Sequence, residues 1–362
     1  MMNAPAHSRV RLLPVALAAG AALVAASWAG LSRLGLALGP APVAIHGPLM
    51  ILGFLGTVIS LERAVGLGKA WAWSAPLLSA AAVVLMLIGR FREGMAVLIV
   101  AGACLAVVYV VALQVGRWPA YLVVESLGTG GWLIAVGALL SDSRVVRAVP
   151  AMATFLVLTI IGERLELSRM APGRSGTRRS LLVALAAALL AAAFIAVWAP
   201  DGGGRLAGVI LILLSAVSAS GDIARRTVSM GGVAAYMAVA ILAGYIWLVV
   251  AGALWASGAL VPGTQLYDPA IHSLFIGFVL SMILAHAPVI VPAVARIELP
   301  FRRSWWVALV LLHVTLAARV MGTMGGALLA WRWGGVGNVA ALALFVGLAA
   351  ASGISAAKGT RR

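Results

Sequence analysis

The chain reads as long apolar runs separated by short polar breaks, and each run is about the length needed to cross a bilayer. A spanning helix needs roughly 20 mostly apolar residues. Twelve such runs lie at 11–31, 43–61, 70–89, 94–114, 119–140, 147–168, 179–198, 203–219, 231–256, 270–294, 304–325 and 334–356. The breaks fall at turn formers and charges: Gly39-Pro40 with Pro42, Gly116-Arg117-Trp118-Pro119, Ala171-Pro172-Gly173 and Asp201-Gly202-Gly203-Gly204. The runs are too long for membrane β-strands and do not alternate. The pattern predicts an all-α polytopic membrane protein with about 12 transmembrane helices, organised as one transmembrane domain over residues 1–362. The first run follows basic residues, as a signal peptide does. Its apolar stretch is longer than a signal core and its removal would leave an odd number of spans, so it is read as the first span.

Composition agrees. Of 362 residues, 63% are apolar and 10% charged, with a mean hydropathy of +1.10. Soluble domains run near about 45–50% apolar and 25% charged, so a cytosolic enzyme, a nucleic-acid partner and a disordered chain are poor readings. The single cysteine, Cys104, excludes an intrachain disulfide and a cysteine metal cluster.

The net charge of +16 is a topology signal before it is a partner signal. With the N-terminus inside, the outer segments carry 8 of the 26 Lys and Arg: Arg33, Arg90, Arg92, Arg144, Arg147, Arg205, Arg319 and Arg332. The other 18 lie inside, which predicts both termini in the cytoplasm and a bacterial-type inner (cytoplasmic) membrane. Small residues such as Gly128, Gly130 and Gly131 permit close helix packing. Trp305, Trp306, Trp331 and Trp333 fall at span ends, where an aromatic belt is expected.

Four of the five histidines, His46, His272, His286 and His313, fall inside spans, where ionisable groups are costly and are functional candidates. His46 and His272 both lie near the outer ends of their spans. His286 is 14 residues beyond His272, about 21 Å deeper on an α-helix and within about 40° of the same face. His313, on the following antiparallel span, shares the depth of His286. Two candidate pairs result: His46 with His272, and His286 with His313. Paired imidazoles suit the axial positions of a haem iron, and two layers about 20 Å apart would carry electrons across the membrane. The other reading is neutral histidines bonded to neighbouring helices. Met50, one turn from His46, is an alternative ligand or a packing residue. Arg319 and Arg332 either meet haem propionates or snorkel to the interface.

Pro288 and Pro292 are expected to kink the tenth span. Acids gather at inner ends: Glu62, Glu125, Glu163, Glu166 and Asp222. Glu62-Arg63 and Glu163-Arg164 read as interface ion pairs. Glu125 reads as a proton-relay candidate or as a paired structural acid.

Several short stretches resemble a known family. Ala44-Ile45-His46-Gly47-Pro48-Leu49-Met50 with Gly53-Phe54, Gly162-Glu163-Arg164, Ala243-Gly244-Tyr245-Ile246-Trp247-Leu248, and Ala270-Ile271-His272-Ser273-Leu274 with Gly277 resemble, in order, motifs of NnrS-type membrane proteins. These are haem- and copper-containing relatives of heme–copper oxidase subunit I, associated with nitric oxide stress and denitrification. The resemblance implies a subunit I-like bundle with haem b, one or two groups, held by His46 and His272. It also implies nitric oxide or another small diatomic ligand and a redox partner, and copper at His286 and His313 would need a third ligand that the sequence does not supply. The family's ninth-helix histidine is absent, since 241–245 read Ile-Leu-Ala-Gly-Tyr, and Ala285-His286-Ala287-Pro288 stands where the family has Gly-His-Thr-Gly-Arg. Without histidines in spans six and seven, the three-histidine copper site of oxygen-reducing oxidases cannot be assembled.

Two other classes fit a twelve-span chain with both ends inside. One is a proton-coupled secondary transporter without haem, although no internal repeat pairs the halves. The other is a structural or assembly protein with packing histidines. Besides the lipid bilayer and haem, no nucleic-acid partner is expected.

Overall fold

The computed structural model describes residues 7–36, 39–142, 144–167, 176–295 and 297–359. These residues are 86% helical, with no strand among them. Twelve helices are long and apolar enough to cross a membrane: α1 (Leu12–Arg33), α2 (Val43–Leu67), α3 (Ala70–Leu87), α4 (Phe91–Gly116), α5 (Ala120–Ser141), α6 (Val145–Leu167), α7 (Gly176–Trp198), α8 (Pro200–Ser220), α9 (Gly232–Ala256), α10 (Tyr267–Val294), α11 (Trp305–Met324) and α12 (Leu328–Ala356). The charge-bearing residues Arg169, Arg174, Arg296, Arg361 and Arg362 lie outside the described residues.

Two helices depart most from the expected ends. α2 continues past Glu62 and Arg63 because both charges are paired within the bundle. It stops at Gly68, whose φ of 69° suits a residue without Cβ and lets its N–H reach the Ala64 carbonyl at 3.1 Å. α12 begins at Leu328 because the turn from α11 is tight: the Ala327 N–H bonds the Gly322 carbonyl at 2.7 Å.

Consecutive helices pack side by side, and the even number places the start of α1 and the close of α12 at one end of the bundle. We call this the terminal end and the opposite one the distal end. α6 sits at the centre, with 83% of its apolar window buried, against 28% for α1 and α12. It packs on α5, α7, α8 and the middle of α10.

Glycine sets how closely these helices meet. A Cβ at Gly252 of α9 would lie 2.7 Å from the Gly208 carbonyl oxygen of α8, so the backbones touch as small-residue faces allow. Trp132 of α5 is fully buried and donates its indole N–H to the Leu98 carbonyl of α4 at 2.9 Å. Its ring meets Phe155 edge-on at 5.0 Å and occupies the space that a Cβ on Gly56 or Gly102 would take.

Two expectations change. Trp305 is no belt residue: it is fully buried against Tyr236, Phe301 and Phe345, whereas Trp333 is 63% exposed. In α10 the helix continues through Pro288 and Pro292 to Ala295. Earlier in the same span, Ser273–Leu280 forms wider π-helical turns with i→i+5 hydrogen bonds. Such turns change the phase of the helix, so the shared face computed for His272 and His286 from α geometry does not carry over.

Gly56→Ala should destabilise the folded protein by about 1–3 kcal/mol, because the methyl group must displace the Trp132 ring. Gly20→Ala, at an exposed helical position with nothing within 4 Å, should be neutral or gain up to about 1 kcal/mol. Thermal unfolding of both variants in detergent checks the contrast.

Candidate functional site

α2 and α10 open alike at the distal end. Each carries Ala-Ile-His near its start, and each runs into a π-helical segment within three residues of the histidine, Leu49–Leu55 after His46 and Ser273–Leu280 after His272. Such wider turns are frequent at functional sites. Met50 lies in the first of them and packs against the apolar core. His272, Arg33 and Arg319 all stand near enough to act electrostatically on His46.

Ring orientation follows from the hydrogen-bond partners. His46 Nδ1 lies 2.7 Å from the Ala26 carbonyl oxygen of α1, which can only accept, so Nδ1 carries the proton. His272 Nδ1 lies 2.9 Å from the Asp268 carbonyl oxygen and 3.1 Å from its Oδ1, so it too is the donor. In both rings the lone pair is left on Nε2, with no capping group among the described residues. This is the arrangement of a metal-ligating histidine, whose second nitrogen is anchored to a carbonyl or carboxylate that orients the ring and raises its basicity.

Asp268 is itself held. Arg319 of α11 donates Nε and Nη2 to its two carboxylate oxygens at 2.9 and 2.7 Å. Arg319, read from the sequence as a propionate partner, is thus committed to the acid behind His272. Arg332 donates to the Gly35 carbonyl at 3.1 Å, and Arg33 holds the Val43 carbonyl through Nε and Nη2 at 3.2 and 2.7 Å, steadying the segment that leads into His46.

The other two histidines are placed differently. His286 Nδ1 donates to the Met282 carbonyl at 2.6 Å, and its Nε2 faces Arg164 Nη1 at 3.4 Å, so a cation caps the lone pair. His313 Nδ1 accepts the Trp247 indole N–H at 3.0 Å, and its Nε2 lies 3.4 Å from Ser281 Oγ, which in turn donates to the Gly277 carbonyl. Matched depth does not turn these two rings toward one another: each is drawn to a different helix, α6 for His286 and α9 for His313. Among the described residues no three His, Cys, Asp or Glu side chains converge to share a metal ion.

The terminal end is organised by two arginines. Arg63 of α2 donates to Glu125 of α5 at 3.0 Å, to Glu163 of α6 at 2.9 Å and to its neighbour Glu62 at 3.0 Å. Gly162 makes the α5 contact possible, since a Cβ there would collide with the Glu125 side chain. Arg164 turns to the other side of α6, about 100° round from Glu163, and pairs with Asp222. The expected Glu163–Arg164 pair is therefore split between two partners. Asp222, in the loop after α8, also accepts from the Tyr245 hydroxyl at 2.9 Å and the Ala224 N–H at 2.9 Å. Burial alone would push its carboxyl up, but these donors, led by Arg164, hold it below the usual aspartate range.

Asp268 was missed in the sequence, although its position four residues before His272 puts the two on one helical face. Tyr245 and Trp247 stood inside a recognised stretch, yet their partners, Asp222 and His313, come from other elements.

Asp222→Asn should destabilise the protein by about 3–5 kcal/mol, because it leaves Arg164 buried without its counter-charge. The sign with pH follows from the lowered carboxyl. The wild-type contribution is fully present above the ordinary aspartate value of about 3.9 and is lost as pH falls through the depressed value of the folded state. Unfolding midpoints measured from neutral to acid pH should show an acid limb in the wild type that is reduced in the variant.

No curated protein and no solved structure matches the chain. One family model does, over residues 11–354, nearly the whole of the membrane domain, and on that match the chain belongs to the family described as domain of unknown function DUF8744.

Proposed function

We propose that this is a haem-binding integral membrane protein in which His46 and His272 are the axial pair. One observation carries the reading: on two helices far apart in sequence, a histidine near the distal end has Nδ1 anchored to a protein acceptor and Nε2 open. The donor set fits iron, for which neutral imidazole is a common ligand. A haem b held there by both imidazoles would supply one-electron redox chemistry, and nitric oxide or another small diatomic ligand would bind it only by displacing one of the two histidines.

The chain's own residues do the rest. Ala26 and Asp268 fix the two rings, Arg319 keeps Asp268 ionised and in place, and Arg33 and Arg332 add positive charge at the same end, where haem propionates would need it. The bias of basic residues toward the terminal end supports termini in the cytoplasm of a bacterial-type cell and a distal haem layer near the outer surface. Neither copper nor a second haem at His286 and His313 is favoured, because the lone pairs of those rings already meet Arg164 and Trp247.

A proton-coupled secondary transporter without haem is the second reading, favoured by the acid cluster around Arg63. Proton-gradient-driven uptake into proteoliposomes by haem-free protein would select it.

Protein purified in detergent from cells grown with ample iron should show a Soret band. His46→Ala and His272→Ala should each abolish most of it, while His286→Ala and His313→Ala should retain it. Asp268→Asn should weaken haem retention by about 10–100-fold. A folded, haem-free wild-type preparation under those conditions would overturn the reading.

A further inference from the structure

A cleft of about 590 Å³ opens among α2, α4, α5, α6 and α10 at the terminal end, lined in part by Glu62, Arg63, Tyr109, Glu163, Glu166 and His286. At its back stands Glu125, with no exposed surface. Its Oε2 accepts from Arg63, whereas its Oε1 has no hydrogen-bond partner. Beside it the Tyr109 hydroxyl, on a residue 1% exposed, also lacks a partner and faces Glu125 and Arg63. Two unsatisfied oxygens thus meet in a region closed to solvent.

Charge counting sharpens the point. Arg63 brings one positive charge to three carboxylates, those of Glu62, Glu125 and Glu163, and Glu166 adds its field to Glu125 from the next turn of α6. Arg164, on the same helix, is committed to Asp222 and His286. On α7, Arg178 is turned to the Val217 and Ser218 carbonyls. Among the described residues, with every acid ionised, Arg63 and the three carboxylates that it bonds would hold a net negative charge around a fully buried carboxylate, at high cost. A proton on Oε1 removes one charge, and the Tyr109 hydroxyl can serve both states, accepting from the neutral acid and donating to the carboxylate. A metal ion is disfavoured because the guanidinium already occupies the centre of the acids.

We propose that Glu125, framed by Arg63, Glu62, Glu163 and Tyr109, is a reversible proton-binding site filled from water in the terminal-end cleft. The exchange balances simply: the Glu125 carboxylate takes one proton onto Oε1 to give the neutral acid, and releases it by the same path. No oxidant or reductant takes part. The site stands whether or not the distal histidines hold a haem, and its test reads a carboxyl band rather than a haem band.

Infrared spectra of the purified full-length chain, recorded as pH is raised from about 5 to 9, the range into which buried glutamates are moved, should lose a carboxylic-acid C=O band. The band should be absent from folded Glu125→Gln. In Tyr109→Phe it should persist with a titration midpoint moved by at least about half a unit, a readout that remains available if Glu125→Gln does not fold. Sodium or potassium added at fixed pH should leave it in place. A wild type without a titrating acid band, the same band in folded Glu125→Gln, an unmoved midpoint in Tyr109→Phe, or loss of the band to either cation at constant pH would each overturn the proposal.

Discussion

Inside a bilayer there is no water to complete a hydrogen bond, so each buried polar group must find its partner within the bundle or remain at a cost of several kcal/mol. That constraint organises this structure. Arg63 draws acids from α5 and α6 to α2. Arg164 binds the loop after α8 to the centre of the molecule and brings Tyr245 of α9 with it. Arg319 secures the start of α10 against α11. The apolar faces that press helices together in water supply little selectivity in lipid. The polar contacts and the glycine approaches are left to decide which helix meets which.

The same constraint makes the two ends chemically different. At the distal end, donors and acceptors are matched so that each of two imidazoles keeps one nitrogen lone pair open. At the terminal end, acids outnumber the cation they surround and two oxygens stay unmatched. Arg164, Asp222, Tyr245 and His286 lie beside that cluster as a separate and well-satisfied network. An open lone pair invites a metal, whereas an unmatched carboxylate oxygen invites a proton.

Much of the fold was legible in linear order. Twelve apolar runs became twelve helices because length and hydropathy are properties of the segment itself. That His46, His272 and Glu125 are candidates was legible for a related reason, since a titratable residue inside such a run is conspicuous. Rotation about the helix axis was not. The depth matching of His286 with His313 assumed α geometry and ignored side-chain direction; π-helical turns in α10, Arg164 on α6 and Trp247 on α9 took the two rings elsewhere. Adjacent charges misled likewise, because Glu163 and Arg164 are neighbours in sequence but point to different helices.

What the sequence by itself determined is the class of protein and the depth of each polar residue, because hydrophobic length and rise per residue need no partner to be evaluated. Only the tertiary structure decided which polar residues meet, which histidine nitrogens remain free, and that Trp305 belongs to the core and not to the interface. Those outcomes depend on helix phase and on close backbone approach at glycines such as Gly56, Gly162 and Gly252, quantities that exist only once one helix is set against another.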